Sequence, residues 1–231
     1  MSEVLLQATR LSVDLAGRTV LDGVAFTVTA GEVVAVVGTN GAGKTTLLRA
    51  CAGLLPEATG ELTTRGLDPR ETAPQSLADR RAYAPQHPTC AWDFTVAELG
   101  TLSSAPADFT RWLERFGLRE LAGRRLSALS GGERKLAHLC LTFSALGDAY
   151  GKGLLLDEPT TALDLCRAEL VARAIRASAQ AGAAVLVATH DLAWARTADR
   201  VIVLSEGRVV SVGPPSEALT AELVRETWGV A

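Results

Sequence analysis

Apolar and polar residues alternate along the N-terminal part of the chain. The alternation runs through Val4–Leu6, Leu11–Leu15 and Val24–Val28, and Gly17 and Asp22-Gly23 stand between these segments. A period of two is typical of strands that bury only one face. We therefore expect short, mostly antiparallel strands that turn at those two glycine positions.

Three later runs are apolar at almost every position: Glu32–Val37, Leu154–Leu156 and Ala184–Ala188. Such runs favour strands that are buried on both faces of a parallel sheet. Thr45–Ala52 and Leu165–Gln180, which follow the first two runs, have helical composition. The helix Leu165–Gln180 lies between the second and third apolar runs. This order of strand, helix and strand predicts a right-handed parallel unit, and hence an α/β fold.

The segment between these regions, roughly 88–128, has no apolar run of that kind. Val96–Leu99 and Phe109–Phe116 predict short helices there, so we interpret the segment as a helical insert in the α/β core. The C-terminal elements that we expect are a hairpin of Val201–Leu204 and Val209–Val212 around Glu206-Gly207, and one or two short helices within Ser216–Trp228.

Composition and charge change the balance between classes of function. The chain has 231 residues, 48% of them hydrophobic and 21% charged, which suits one globular domain over 1–231. Lys and Arg number 23 against 26 Asp and Glu, and a net charge of −3 argues against nucleic-acid binding. Every apolar window is interrupted within about ten residues, whereas a membrane span needs about 20. The scattered cysteines predict reduced thiols rather than disulfides or a zinc site: Cys51, Cys90, Cys140 and Cys166.

A glycine-rich loop lies between a predicted strand and a predicted helix. It reads Gly38-Thr39-Asn40-Gly41-Ala42-Gly43-Lys44-Thr45. Glycines let successive backbone N–H groups turn inward onto phosphate oxygens, and the helix N-terminus adds its dipole. Lys44 suits the β- and γ-phosphates, and the Thr45 hydroxyl suits Mg²⁺. An incidental Lys-Thr after a glycine turn is the alternative, but the strand–loop–helix context favours nucleotide phosphates.

Two adjacent acids, Asp157 and Glu158, end the second apolar strand. Ligands bind at the carboxyl edge of a parallel sheet, so Asp157 is placed to hold Mg²⁺ and Glu158 to polarise an attacking water. The alternative is an acidic strand end before a solvated turn at Pro159. His190 follows the third apolar strand at the same edge, where it would contact the γ-phosphate or Glu158.

A second glycine pair begins another predicted helix, which runs to about Leu146. The motif is Leu129-Ser130-Gly131-Gly132-Glu133, with Ser130 as a natural N-cap and backbone N–H groups exposed by the glycines. Alone, it would be explained as a well-capped helix. The ordered set of motifs, however, resembles the ATP-binding cassette (ABC) family over nearly the whole chain. This resemblance implies a P-loop NTPase fold with a RecA-like parallel-sheet core, an N-terminal antiparallel β subdomain and a short α-helical insert at about 88–135.

The resemblance also implies a role for each motif. Glu158 resembles the catalytic base and His190 the switch histidine, while Gln86 resembles the Q-loop glutamine that contacts Mg²⁺ together with Thr45 and Asp157. Residues 161–164 resemble the D-loop, with Thr161 where Ser is more usual. The residues implied to bind ATP are Gly38, Thr39, Asn40, Gly41, Ala42, Gly43, Lys44, Thr45 and Thr46, with Ser130, Gly131, Gly132 and Glu133 binding the γ-phosphate held by a second subunit.

The same resemblance implies an assembly at a membrane. A head-to-tail homodimer would share two ATP sites and act with integral membrane permease subunits and a substrate-binding protein, without nucleic acid, peripheral at the cytoplasmic face of the membrane. Gly147–Gly153 and the ending Leu223–Val230 resemble cassettes that energise import of vitamin B12, haem or iron-siderophores. The alternatives are a cassette for an exporter or for another importer, and a soluble ABC ATPase, which would need long insertions or a second cassette.

The sequence departs from the family pattern at three places. Leu15 stands where many relatives stack adenine on an aromatic residue, so apolar contact alone would hold the base. Residues 134–136 lack the Gln-Arg that often follows the signature glutamate. Trp92 and Phe94 follow the Q-loop, and they would either dock a membrane subunit or pack the helical insert.

Overall fold

Strands and helices alternate through the chain after two N-terminal strands. The computed structural model describes residues 3–229, so Val230, the last residue of the C-terminal motif, lies outside the described residues. The elements in chain order are β1 (Val4–Leu15), β2 (Arg18–Thr29), β3 (Val33–Gly38), α1 (Lys44–Cys51), β4 (Thr59–Thr64), α2 (Pro74–Ala78), β5 (Arg81–Ala84), α3 (Val96–Gly100), α4 (Pro106–Arg115), α5 (Gly131–Leu146), β6 (Gly153–Asp157), α6 (Leu165–Gln180), β7 (Ala184–Ala188), α7 (Leu192–Ala195), β8 (Arg200–Ser205), β9 (Arg208–Gly213), α8 (Pro215–Ala218) and α9 (Ala221–Trp228).

The N-terminal strands form an antiparallel sheet in the order β2-β1-β4. The predicted turn at Gly17 is confirmed, because β1 and β2 pair on either side of it. The predicted turn at Asp22-Gly23 is wrong. These residues lie inside β2, where the register with β1 shifts, and this irregularity lets one long strand continue past a glycine.

The second sheet carries the parallel strands, in the order β5-β6-β7-β3-β8-β9. Strands β5, β6, β7, β3 and β8 run parallel to one another. Of the described strands in this sheet, only β9 is antiparallel to its neighbour. The predicted unit of β6, α6 and β7 is confirmed, as is the hairpin of β8 and β9 around Glu206-Gly207. No pattern of apolar residues predicts β4 and β5, since Thr59–Thr64 and Arg81–Ala84 contain no apolar run.

Strand β3 divides the interior into two cores. Val33, Ala35 and Val37 face a core built with α5, α6 and the helices of the insert, whereas Val34 and Val36 face α1 and the antiparallel sheet. Successive side chains of a strand point to opposite faces, so a strand that is apolar at every position has to be covered on both sides. This confirms the inference of a buried parallel strand, and it fixes the end of β3 between two packed layers.

Between β5 and β6 the chain is helical, and the predicted short helices are confirmed as α3 and α4. Helix α4 packs on α5 through Trp112, whose ring stacks on Phe143 with centroids 4.6 Å apart. Helices α3 and α4 approach closely at Gly100, where a Cβ atom would lie 2.5 Å from the Phe109 ring. No described helix is long and apolar enough to cross a bilayer.

The cysteines of the described chain are free thiols, as the sequence predicts. Cys51 and Cys140 are buried in helices, Cys90 is partly buried and Cys166 is exposed. Burial raises the pKa of the Cys51 thiol to about 12, which makes it an inert packing residue.

Candidate functional site

The glycine loop connects β3 to α1 through backbone conformations that few other residues adopt. A Cβ atom at Gly38 would lie 2.2 Å from the Leu204 carbonyl oxygen, so only glycine fits there. Gly43, the N-cap of α1, has a φ of 102° and provides no side-chain cap. The N–H groups of the first turn of α1 therefore lack a side-chain acceptor at the N-cap and are placed for an anion.

The Lys44 side chain folds back onto this loop. Its Nζ donates hydrogen bonds to the carbonyl oxygens of Gly38 at 2.8 Å and Thr39 at 3.1 Å, and the residue is buried. Burial lowers the pKa of the Lys44 ammonium, while the charges of Glu158 and Asp157 oppose that shift. The ammonium thus lies at the centre of the loop, where phosphate oxygens would compete with the two carbonyls.

Asp157 ends β6 beside this loop, with 1% of the residue exposed. Neither of its carboxylate oxygens accepts a well-formed hydrogen bond from the described residues. Burial raises the pKa of this carboxyl, and the nearby Thr45 hydroxyl and Lys44 partly offset the shift. Asp157, Thr45 and Gln86 line one cavity of about 230 Å³ with the glycine loop. A buried carboxylate without a partner, facing hydroxyl and amide oxygens, fits a hard divalent cation.

Glu158 follows in a strained conformation, with a φ of 50° that is uncommon for a residue with a side chain. Its Oε2 accepts a hydrogen bond from the Thr161 hydroxyl at 2.9 Å and lies 2.8 Å from His190 Nδ1. Its Oε1 accepts none from the residues that the structure describes. The Glu158 N–H donates to the Ala188 carbonyl oxygen at 2.9 Å, which anchors the turn to the end of β7.

The strand order explains why these groups meet. Strand β7 lies between β6 and β3, and Ala188 pairs with both Asp157 and Val36. The carboxyl ends of three adjacent parallel strands therefore deliver the glycine loop, the acidic pair and His190 to one edge. Of the two contacts expected for His190, the structure contains the one to Glu158.

The second glycine motif does not reach this cavity. Ser130 caps α5: its Oγ accepts from the Glu133 N–H, and Glu133 Oε2 accepts from the Ser130 N–H at 2.9 Å and from its hydroxyl at 2.8 Å. These hydrogen bonds lower the pKa of the Glu133 carboxyl. None of the residues Ser130, Gly131, Gly132 and Glu133 lines the cavity at the P-loop.

Two further cavities adjoin the glycine loop. One of about 520 Å³ extends past Thr39–Ala42 and is bounded by Arg18 and Glu206. Leu15, the residue aligned with an adenine-stacking position, is partly buried against the second core and does not line that cavity. Arg18, which no sequence motif singled out, is one of several exposed side chains there.

The other cavity, of about 710 Å³, is a groove between the core and the insert. Gln86–Cys90 line it, opposite Lys135 and His138 of α5. Phe94 packs against the first core, which supports the packing alternative for that residue. Trp92 is 74% exposed, so packing of the insert does not explain it.

Comparison with known proteins decides the family. The ABC transporter family model matches residues 21–161. The chain belongs to the ABC transporter family. It binds ATP and is a transport-coupled ATPase, which converts ATP and water to ADP and phosphate.

Curated relatives and a solved structure agree with that family. The chain is 43% identical to the hemin import ATP-binding protein HmuV of Streptomyces coelicolor, over 98% of this chain and 84% of that protein. It is 40% identical to the protein of the same name from Bradyrhizobium diazoefficiens, over 98% of this chain and 89% of the relative. The structure of an ATP-binding subunit of an ABC transporter superposes with a TM-score of 0.81 and 26% identity, covering 97% of this chain and 93% of that one. The predicted P-loop NTPase fold is thereby confirmed.

Proposed function

We propose that this ABC ATPase energises import of haem or a related metal chelate through separate membrane permease subunits. The observation that carries the proposal is the 43% identity to a hemin import ATP-binding protein over nearly the whole chain. The connection Gly147–Gly153 and the ending Leu223–Val230 support the same class, because both segments resemble those of metal-chelate importer cassettes. Within this proposal residues 1–231 form one nucleotide-binding domain, with the helical insert at about 88–135.

ATP binding is assigned to the glycine loop. The triphosphate would lie over the N-terminus of α1, where Lys44 exchanges the Gly38 and Thr39 carbonyls for phosphate oxygens. Thr45, Gln86 and Asp157 would hold Mg²⁺, which supplies positive charge to the phosphates when bound. The unpartnered, buried carboxylate of Asp157 is the feature of this chain that supports the assignment.

Hydrolysis is assigned to Glu158 as general base. Its carboxylate takes a proton from the attacking water while the water oxygen bonds to the γ-phosphorus, and the bond to the bridging oxygen of ADP breaks. Thr161 and His190 both hold Oε2, which leaves Oε1 to face the water. Gln86 borders the same cavity and would help to orient that water.

A second copy of the chain would complete each site. Residues Ser130–Glu133 lie outside the P-loop cavity of their own chain, and they begin a helix whose glycines leave backbone N–H groups accessible. In a head-to-tail homodimer, the signature of one copy would bind the γ-phosphate held by the other. ATP would join the copies, and charge repulsion between ADP and phosphate would separate them.

Permease docking is assigned to the groove beside the Q-loop. Gln86–Cys90 line this groove and the exposed Trp92 lies two residues beyond it, so an apolar helix of a membrane subunit would fit there. The chain would then lie peripherally at the cytoplasmic face of the membrane. A substrate-binding protein would deliver the metal chelate from the other side.

The test is capture of the full chain with its membrane partner from native cells, followed by reconstitution of the complex in vesicles. We expect a captured protein with many spans, and ATP hydrolysis that rises when hemin is presented with its binding protein. If vitamin B12 or a ferric siderophore stimulates hydrolysis and hemin does not, that compound and not haem is the cargo. Movement of cargo away from the binding-protein side would contradict import.

A further inference from the structure

Lys135, in the second turn of α5, contacts the turn that carries Glu158. Its Nζ donates a hydrogen bond to the Glu158 carbonyl oxygen and a second, at 3.2 Å, to the Thr161 carbonyl oxygen. The two acceptors lie at the two ends of one short turn. One partly buried side chain from the signature helix therefore binds both ends of the segment that presents the catalytic carboxylate.

The Glu158 N–H anchors one end of that turn to β7, and a single backbone hydrogen bond closes the turn on itself. The backbone hydrogen bond that closes it, from the Thr161 N–H to the Glu158 carbonyl oxygen, is long at 3.3 Å. Glu158 itself has left-handed backbone dihedrals, which cost free energy unless neighbouring contacts impose them. The Thr161 hydroxyl in turn holds Glu158 Oε2. A change in the separation of the two carbonyls would thus move the carboxylate.

Lys135 forms no ion pair with a carboxylate of the described residues, although it is partly buried. Burial lowers the pKa of its ammonium, and the charges of Glu158 and Asp157 oppose that shift from beyond ion-pair distance. A partly desolvated ammonium is unfavourable unless its N–H groups donate hydrogen bonds. Here the acceptors are backbone carbonyl oxygens. A surface ion pair does not explain this residue.

Lys152 provides a comparison within the same region. Its Nζ donates at 2.8 Å to the Leu146 carbonyl oxygen, at the C-terminus of α5. That contact satisfies the end of the helix and touches no part of the site. Two lysines therefore bind backbone carbonyls near the opposite ends of α5, and only Lys135 reaches across to the turn of Glu158.

We propose that Lys135 is a positioning residue, which links the signature helix α5 to the orientation of the Glu158 carboxylate. The proposal rests on the proposed role of Glu158 as general base. Lys135 also lines the groove opposite Gln86, so a shift of α5 against the core would reach the catalytic turn through this side chain. Lys135 does not line the cavity formed by the glycine loop.

The experiment compares Lys135→Met, Lys135→Gln and Lys135→Arg with Lys152→Met in the purified full chain. We expect Lys135→Met to slow single-turnover ATP hydrolysis by about tenfold, because a displaced base loses alignment with its water, while the Kd for ATP changes less than about twofold. Arginine retains donors and charge, so Lys135→Arg should recover most of the rate. Lys152→Met should hydrolyse ATP at the unaltered rate.

A second measurement needs no turnover. Hydrogen exchange of the peptide covering 157–163 should be faster in Lys135→Met and unchanged in Lys152→Met. The proposal is overturned if exchange in that peptide stays the same, or if hydrolysis stays within about twofold of the unaltered chain. A rate loss matched by an equal loss of ATP affinity also overturns it. Should Lys135→Met not fold, the same criteria apply to Lys135→Gln.

The Glu158→Gln variant separates this inference from the proposed function. If Glu158→Gln hydrolyses ATP normally, the general-base assignment is wrong. If Glu158→Gln is inactive and Lys135→Met is fully active, only the role of Lys135 is wrong.

Discussion

Two helices of this chain begin at glycine-rich motifs, yet the structure completes them differently. Helix α1 begins after Gly43, which provides no side-chain cap, and its first turn contains Lys44 and lies beside Asp157. Helix α5 begins after Ser130, and a capping box with Glu133 satisfies donors at its start. The difference fits the two proposed roles: α1 would bind ATP within its own chain, whereas the capped start of α5 would meet ATP held by another copy.

The two regions also differ in how their charged groups are buried and paired. Around α1, buried groups of both signs converge, and neither oxygen of Asp157 has a hydrogen-bond partner among the described residues. Around the start of α5, Glu133 is partly exposed, bonded to Ser130, and 3.7 Å from Arg167 Nη2. Unpartnered buried charge indicates a cation site at Asp157, whereas the charge of Glu133 is already paired within its own chain.

The largest effect should come from the P-loop side. Glu158→Gln removes the proton acceptor while keeping the shape of the side chain, so ATP hydrolysis should fall at least about a hundredfold with ATP binding retained. Phosphate release and equilibrium ATP binding measure the two quantities. Glu169→Gln, at an exposed ion pair with Arg173, is the control and should change neither. Unchanged hydrolysis in Glu158→Gln would contradict the assignment of the base.

Lys44→Ala tests the same region at the binding step. The variant loses charge-assisted hydrogen bonds to phosphate, so the Kd for ATP should rise by roughly 10- to 100-fold. Titration with a fluorescent ATP analogue measures this change, and Lys152→Met should bind as the unaltered chain does. An ATP affinity close to that of the unaltered chain would show that Lys44 does not hold the triphosphate.

Ser130→Arg tests the other half of the comparison. The added side chain should block the face of α5 that meets the second copy, so hydrolysis should fall by at least about tenfold, although Ser130 is remote from its own P-loop. ATP binding to a single chain should be unchanged. Ser130→Thr keeps an N-cap oxygen and adds only a methyl group, so it is the control for a substitution that leaves the cap intact. Full activity in a variant that still dimerises would disprove the shared site.

The smallest effect concerns the adenine base of ATP. Arg18 borders the cavity beyond Thr39–Ala42, where the exposed guanidinium could stack on adenine. Arg18→Ala should therefore raise the Michaelis constant for ATP by about two- to fivefold and leave the turnover number unchanged. Arg111→Ala, an exposed arginine of the insert, should have no effect. If Arg18→Ala has the same Michaelis constant for ATP as the unaltered chain, Arg18 does not contact adenine.

Part of this fold was readable from local pattern. Strand β3, helix α6 and the hairpin of β8 and β9 were predicted because each has a strong periodic or continuous apolar signal. Strands β4 and β5 were missed because Thr59–Thr64 and Arg81–Ala84 are polar or short, and they form strands only because β1 and β6 offer edges to pair with. The turn predicted at Asp22-Gly23 failed for a similar reason, since pairing with β1 carries the strand through it.

The sequence by itself determined the chemical inventory: a loop that suits phosphates, two adjacent acids and a histidine, each after an apolar strand. Parallel strands end at a common edge, so those positions had to converge. Only the tertiary structure decided that Thr161 and His190 both contact Oε2 of Glu158. It also decided that Lys135 donates hydrogen bonds to both ends of the turn that begins at Glu158. Contacts between residues distant along the chain depend on how helices pack against the sheet, and no local pattern of apolar and polar positions encodes that packing.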